Sequence, residues 1–114
     1  MALSVQTLIE KIEITNLTPD LDTSKTVIEN GYVSDLLSDV MGSAQENQIW
    51  ITIMRHLNTI AVASMTGIPV IIFAKDIIPE QSVINKAREE GIILLTSPLT
   101  VFELAGKIYS LLKV

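Results

Sequence analysis

From Thr26 onward, short β-branched runs alternate with stretches in which apolar residues recur at helical spacing, the mark of repeated strand–helix units around a largely parallel sheet. The runs predict strands over residues 26–31, 49–53, 70–74 and 92–95. Between the first two, Leu36, Leu37, Val40 and Met41 fall on a short helix that Ser34 can cap and Gly42 can end in a left-handed conformation. Asn58 can cap a second helix running to Thr66 and closed by Gly67, kept slim by Ala61, Ala63 and Ser64. A third starts near Pro79, whose fixed φ and missing N–H suit a first turn, places Val83, Ile84 and Ala87 on one face, and stops at Gly91. The last opens on Ser97-Pro98 and repeats Val101, Leu104, Ala105, Ile108, Leu111 and Leu112 at the helical period. Gly106 sits mid-helix at a cost of about 1 kcal/mol relative to alanine, which predicts close approach of another backbone.

Residues 1–25 read differently: Val5, Leu8, Ile9 and Ile12 make a short amphipathic helix, followed by a turn-rich stretch with Pro19, Asp20 and Asp22. This is a helix and connector appended to the repeating part. A chain of 114 residues suits a single core. The expectation is therefore an α/β fold: one small domain over 1–114 with a mostly parallel sheet of four to five strands flanked by helices. Trp50 alternates with Ile49 and Ile51 and so faces the opposite side of the sheet from them, and Met41, Met54 and Met65 read as core filler.

Composition narrows the partners. Hydrophobic residues make up 48% and charged residues 18%, which leaves little polar surface to cover a monomer and predicts burial between subunits, as a homodimer or other homo-oligomer. The longest apolar region, residues 60–74, is interrupted by Ser64, Thr66, Gly67 and Pro69 and falls short of a membrane span, so no membrane partner is expected. No basic stretch precedes an apolar run at the N-terminus, and cysteine is absent; both fit a cytoplasmic chain. Eight Lys and Arg against thirteen Asp and Glu give a net charge of -5, the wrong sign for nucleic acid, and the basic residues are scattered.

In an open parallel sheet the carboxyl ends of the strands form the ligand crevice, and polar residues here gather after those ends. They are Tyr32, Ser34 and Asp35, then Arg55, His56 and Asn58, then Lys75 and Asp76, then Thr96 and Ser97. Helix N-termini near Asn58 and Ser97, with charge from Arg55 or Lys75, could receive a small anion; the same residues also serve as ordinary caps and loop contacts. His56 is the sole histidine, able to hydrogen-bond within its loop, to touch a ligand, or to exchange a proton beside Asp35 or Asp39. Asp35 and Asp39 stand four apart on one helix face, open to solvent or to a cation. A metal site would need further ligands, so neither metal nor cofactor is expected. The Gly-x-x-x-x-Gly-Lys-Ser/Thr, Gly-x-Gly-x-x-Gly and Gly-x-Ser-x-Gly strings are all missing, so no enzyme is indicated.

The segment from Gly31 to Met41, then Trp50-Ile51-Thr52-Ile53, His56, Asn58 and Ala61-Val62-Ala63, resembles the small stand-alone DRTGG-domain proteins, and the likeness extends to Phe102, Glu103 and Gly106. Such domains are similar to the N-terminal domain of HPr kinase/phosphorylase and to segments joined to CBS-domain proteins. The resemblance implies an α/β regulatory or assembly module and supplies no catalytic residue. The literal Asp-Arg-Thr-Gly-Gly string is absent, with Ile28-Glu29-Asn30-Gly31-Tyr32 as its nearest counterpart, and Arg55 stands where a neutral residue is expected. The expected function is a non-catalytic, self-associating regulatory module holding a small anionic or nucleotide-like ligand near Tyr32, Ser34, Asp35, Asp39, Arg55, His56, Asn58, Thr96 and Ser97. The alternative is an adaptor that docks a partner enzyme or sensor kinase without a small ligand.

Overall fold

The apolar runs assemble side by side, as the alternating pattern requires. The computed structural model describes residues 2–113. Its elements in chain order are β1 (Leu3–Ser4), α1 (Val5–Lys11), β2 (Thr15–Asn16), β3 (Val27–Ile28), β4 (Asn30–Val33), α2 (Leu37–Ser43), β5 (Gln48–Thr52), α3 (Leu57–Thr66), β6 (Val70–Phe73), α4 (Gln81–Glu90), β7 (Ile93–Thr96) and α5 (Val101–Leu112). The main sheet has the order β2-β7-β6-β5-β4, with β4 through β7 parallel and β2 antiparallel to β7. Strands β5, β6 and β7 are buried on both faces, which explains their near-continuous apolar sequence.

Alternation along the strands splits the core in two. Ile49, Ile51, Val70, Ile72, Ile93 and Leu95 face α1 and α5, whereas Trp50, Ile71, Phe73 and Leu94 face α2, α3 and α4. Trp50 is therefore on the opposite side from its neighbours, as its position in the run requires. Because β4 to β7 lie in chain order, each crossover steps the same way and the three crossover helices share one face. Strand order among them never reverses, so the crevice of a topological switch point is not formed there.

Three local expectations are corrected. Residues 26–31 do not form one strand: Val27–Ile28 pairs antiparallel with Leu3–Ser4, and the chain enters the main sheet only at Asn30, opposite Gln48. The reason is burial. Ile28 packs with Val5 and Leu8 of α1, so the best β-formers serve the N-terminal helix, and β4 is ordered by its partner β5 rather than by propensity. The N-terminal segment read as an appended helix and connector is accordingly part of the core and the sheet over residues 2–25, since α1 buries Val5 and Leu8 and β2 supplies the fifth strand.

Helix ends form the second correction. α2 starts after Leu36 without a side-chain cap, and Ser34 Oγ instead accepts the Leu36 N–H at 3.2 Å. Gly42 lies inside α2, whose end is the extended Ala44. α3 begins after His56 rather than Asn58, and α4 begins after Glu80. Gly67 and Gly91 do close their helices at φ 77 and 71. α5 starts after Thr100, a cap three residues beyond Ser97, where Thr100 and Glu103 form a reciprocal capping box. The third correction is Gly106: a Cβ there would meet nothing within 4 Å, so no backbone among the described residues approaches it.

Candidate functional site

The loop after β5 is held from three sides. Asp35, just beyond β4, accepts the Thr52 hydroxyl at 2.7 Å and the Ile53 N–H at 3.0 Å through one carboxylate oxygen. Thr52 Oγ1 accepts the Met54 N–H at 3.1 Å, and the Thr59 hydroxyl, buried on α3, donates to the Met54 carbonyl at 3.0 Å. The Thr52 hydroxyl, the Ile53 and Met54 N–H groups and the Met54 carbonyl are thus engaged, and the next two residues, Arg55 and His56, follow from a fixed base. Among the described residues neither side chain makes a hydrogen bond or ion pair.

Facing them is the loop from β6 to α4. Lys75 and Asp76 occupy the left-handed region in succession, at φ 63 and 57, an uncommon conformation for non-glycine residues. Two backbone bonds hold them there, from Lys75 N–H to the Leu99 carbonyl at 2.9 Å and from Asp76 N–H to the Ser97 carbonyl at 2.8 Å. The chain then runs through Ile78 and buried Pro79 into α4.

Between these loops lies an open cleft of about 540 Å³, lined by Arg55, His56, Leu57, Pro79, Glu80 and Ser82 among others. The N-termini of α3 and α4 both reach it, and neither helix has a side-chain cap. Their first backbone N–H groups have no intrahelical acceptor, and the dipole of each helix adds partial positive charge. Arg55 strengthens this field, while Glu80 supplies one carboxylate acceptor on the opposite wall. The arrangement can take an anion on the helix ends and a hydroxyl or amine on Glu80.

The expected site residues separate into groups. Arg55 and His56 line the cleft. Asn58 lines the adjoining groove between α3 and α4, with Ser64, Lys86 and Glu90. Ser34 and Asp35 are occupied in joining strand ends: the Ser34 carbonyl accepts the Trp50 indole N–H at 2.8 Å. Tyr32 donates its hydroxyl to Asp39 at 2.8 Å, tying β4 to α2, and this bond to a carboxylate holds the phenol above its ordinary titration range. Thr96 and Ser97 are buried and build the turn rather than line the cleft. Thr96 Oγ1 donates to the Ile77 carbonyl at 2.8 Å, and Ser97 Oγ accepts the Leu99 N–H at 3.3 Å. Among the described residues no group of three His, Cys, Asp or Glu side chains could hold a metal ion, and no helix is long and apolar enough to cross a membrane.

Pro79, Glu80, Ser82, Thr52 and Thr59 were not expected at the site. The first three join it only because α3 and α4 are neighbours, and the threonines carried no signal beyond a hydroxyl at a strand or helix end.

No protein-family model matches the chain, and no curated protein sequence matches it. A solved structure does: the CBS and DRTGG domains of the regulatory region of Clostridium perfringens pyrophosphatase, complexed with the activator diadenosine tetraphosphate. The TM-score is 0.74 at 14% identity, over 90% of this chain and 44% of that one. The chain thus spans less than half of that regulatory region and has the fold of part of it.

Proposed function

We propose that this chain is a non-catalytic, cytoplasmic regulatory module of the DRTGG kind, acting as one unit over 1–114, that self-associates and senses a small anionic, nucleotide-like ligand. The observation that carries the reading is the cleft where two uncapped helix N-termini converge with Arg55 and His56. Phosphate oxygens would lie on the helix ends and Arg55, and Glu80 would accept a sugar hydroxyl or base amine. His56 would serve as a contact rather than a base, because among the described residues no carboxylate is hydrogen-bonded to it. Support also comes from the pyrophosphatase region of like fold, which was captured with a dinucleoside polyphosphate. Kinship to the HPr kinase/phosphorylase N-terminal domain belongs to the same reading.

Calorimetric titration with diadenosine tetraphosphate, adenine mononucleotides and inorganic phosphate tests it. Binding weakened about tenfold or more by Arg55→Ala, with unchanged folding, is the expected result. Absence of binding across the panel removes the ligand, and binding indifferent to Arg55 removes this cleft as its site. A second reading, docking onto a partner enzyme or sensor kinase without a small ligand, draws on the exposed apolar row Leu57, Ala61 and Met65 along α3. It requires the panel to be silent.

A further inference from the structure

The outer side of α5 is not what a solvent-facing helix surface requires. Phe102 is 88% exposed and Tyr109 is 62% exposed, and with Gly106 and Lys113 they stand at i, i+4, i+7 and i+11, a single stripe opposite the buried Leu104, Ile108 and Leu112. Nothing among the described residues touches the place where a Gly106 side chain would be. Beside the stripe an open groove of about 650 Å³ runs between α5 and α1, walled by Phe102, Gly106, Leu111 and Ile12, with Lys11, Glu103 and Lys107 along it.

We propose that this face is where two copies of the chain pair, α5 against α5 in antiparallel two-fold fashion. The proposal rests on the self-association half of the function proposed above and assigns it a surface. A two-fold interface must be complementary to itself. This stripe satisfies that condition in shape, because it carries a protruding ring, Phe102, one turn from a missing side chain, Gly106. A crossing near Ala105 seats each Phe102 in the gap beside the other copy's Gly106 and Tyr109.

Charge agrees with the same placement. In an antiparallel pair like flanks face each other, so an axis near Ala105 brings Glu103 of each copy opposite Lys107 of the other, two residues either side of the axis. A parallel arrangement would put the two Glu103–Lys107 flanks on opposite sides of the pair, out of each other's reach. The pairing therefore accounts together for an exposed phenylalanine, a mid-helix glycine with no intrachain purpose and the sign order of the flanking charges.

Sedimentation of the full chain from about 1 µM to about 0.5 mM measures the association. The expected result is a dimer that Phe102→Glu weakens about 30-fold or more, with the circular dichroism unchanged because the ring is solvent-exposed. The chain has no cysteine, so single substitutions give clean crosslinks under mild oxidation. Gly106→Cys should crosslink readily, and Met65→Cys, 70% exposed on α3, should not. A strict monomer at the highest concentration overturns both self-association and this surface. A dimer unaffected by Phe102→Glu, or crosslinked equally through Met65→Cys, overturns the surface alone.

Discussion

Removing the Asp35 carboxylate should unfasten the loop that presents Arg55 and His56. The carboxylate accepts from the Thr52 hydroxyl and the Ile53 N–H, bonds of 2.7 and 3.0 Å. Hydrogen bonds to a charged group contribute about 1.5–3 kcal/mol, but Asp35 is exposed and water competes, so Asp35→Ala should cost about 1–2 kcal/mol. Thr52→Val removes the same donor together with the acceptor for Met54 N–H, at a similar cost of about 1–2 kcal/mol. Since both changes break one shared bond, the double variant should be less destabilised than the sum by about 1 kcal/mol. Urea unfolding measures this from midpoints at constant slope. Hydrogen exchange should meanwhile quicken at Ile53 and Met54 in either single variant. Additivity within about 0.3 kcal/mol would refute the argument that these residues form one lock.

Two glycines should respond oppositely to alanine. Gly67 has φ 77 and an added Cβ would sit 3.3 Å from Glu46 Cβ, so Gly67→Ala should destabilise by about 1–2 kcal/mol, whereas Gly42, inside α2 with nothing within 4 Å, should gain about 0.5–1 kcal/mol in the same thermal melts. Glu103 is held below the ordinary glutamate range by the N–H and hydroxyl of Thr100; its contribution is complete above the unfolded value and lost as pH falls through the lower folded one. The melting temperature should therefore drop more steeply between about pH 5 and 3 in the native chain than in Glu103→Gln, which keeps a capping-box residue without the titration. Tyr32 is raised mainly by its bond to Asp39, so Asp39→Asn should lower its titration midpoint, read by absorbance at alkaline pH in a Tyr109→Phe background. An unmoved midpoint would contradict the contact.

What could be read from the chain follows from how each signal is encoded. Strands β5, β6 and β7 were legible because a parallel sheet covered on both faces demands unbroken apolar runs, and Gly67 and Gly91 because only glycine adopts their backbone easily. Helix starts were misplaced where no side chain caps them, as at Leu36, His56 and Glu80. The α5 start was different: Thr100-Val-Phe-Glu103 is a capping-box string in plain view, overshadowed by Ser97-Pro98. Arg55 and His56, which line the cleft, stand out in the sequence as polar residues after a strand end. Their opposite wall, Pro79, Glu80 and Ser82, lies over twenty residues away and joins them only through the packing of α3 on α4. Ser97 misled because a hydroxyl in a strand-end loop looks the same whether it faces a ligand or closes a turn.

The claim on which the function rests is that two helix N-termini open onto one anion-holding cleft, and amide chemical shifts during titration with diadenosine tetraphosphate test it most directly. The account predicts saturable shifts concentrated at Arg55, His56, Leu57, Asn58, Gln81 and Ser82, with little change along α5. Saturable shifts confined to the opposite end of the sheet, near Gln45, Glu46 and Asn47, or no shifts at all, would contradict it.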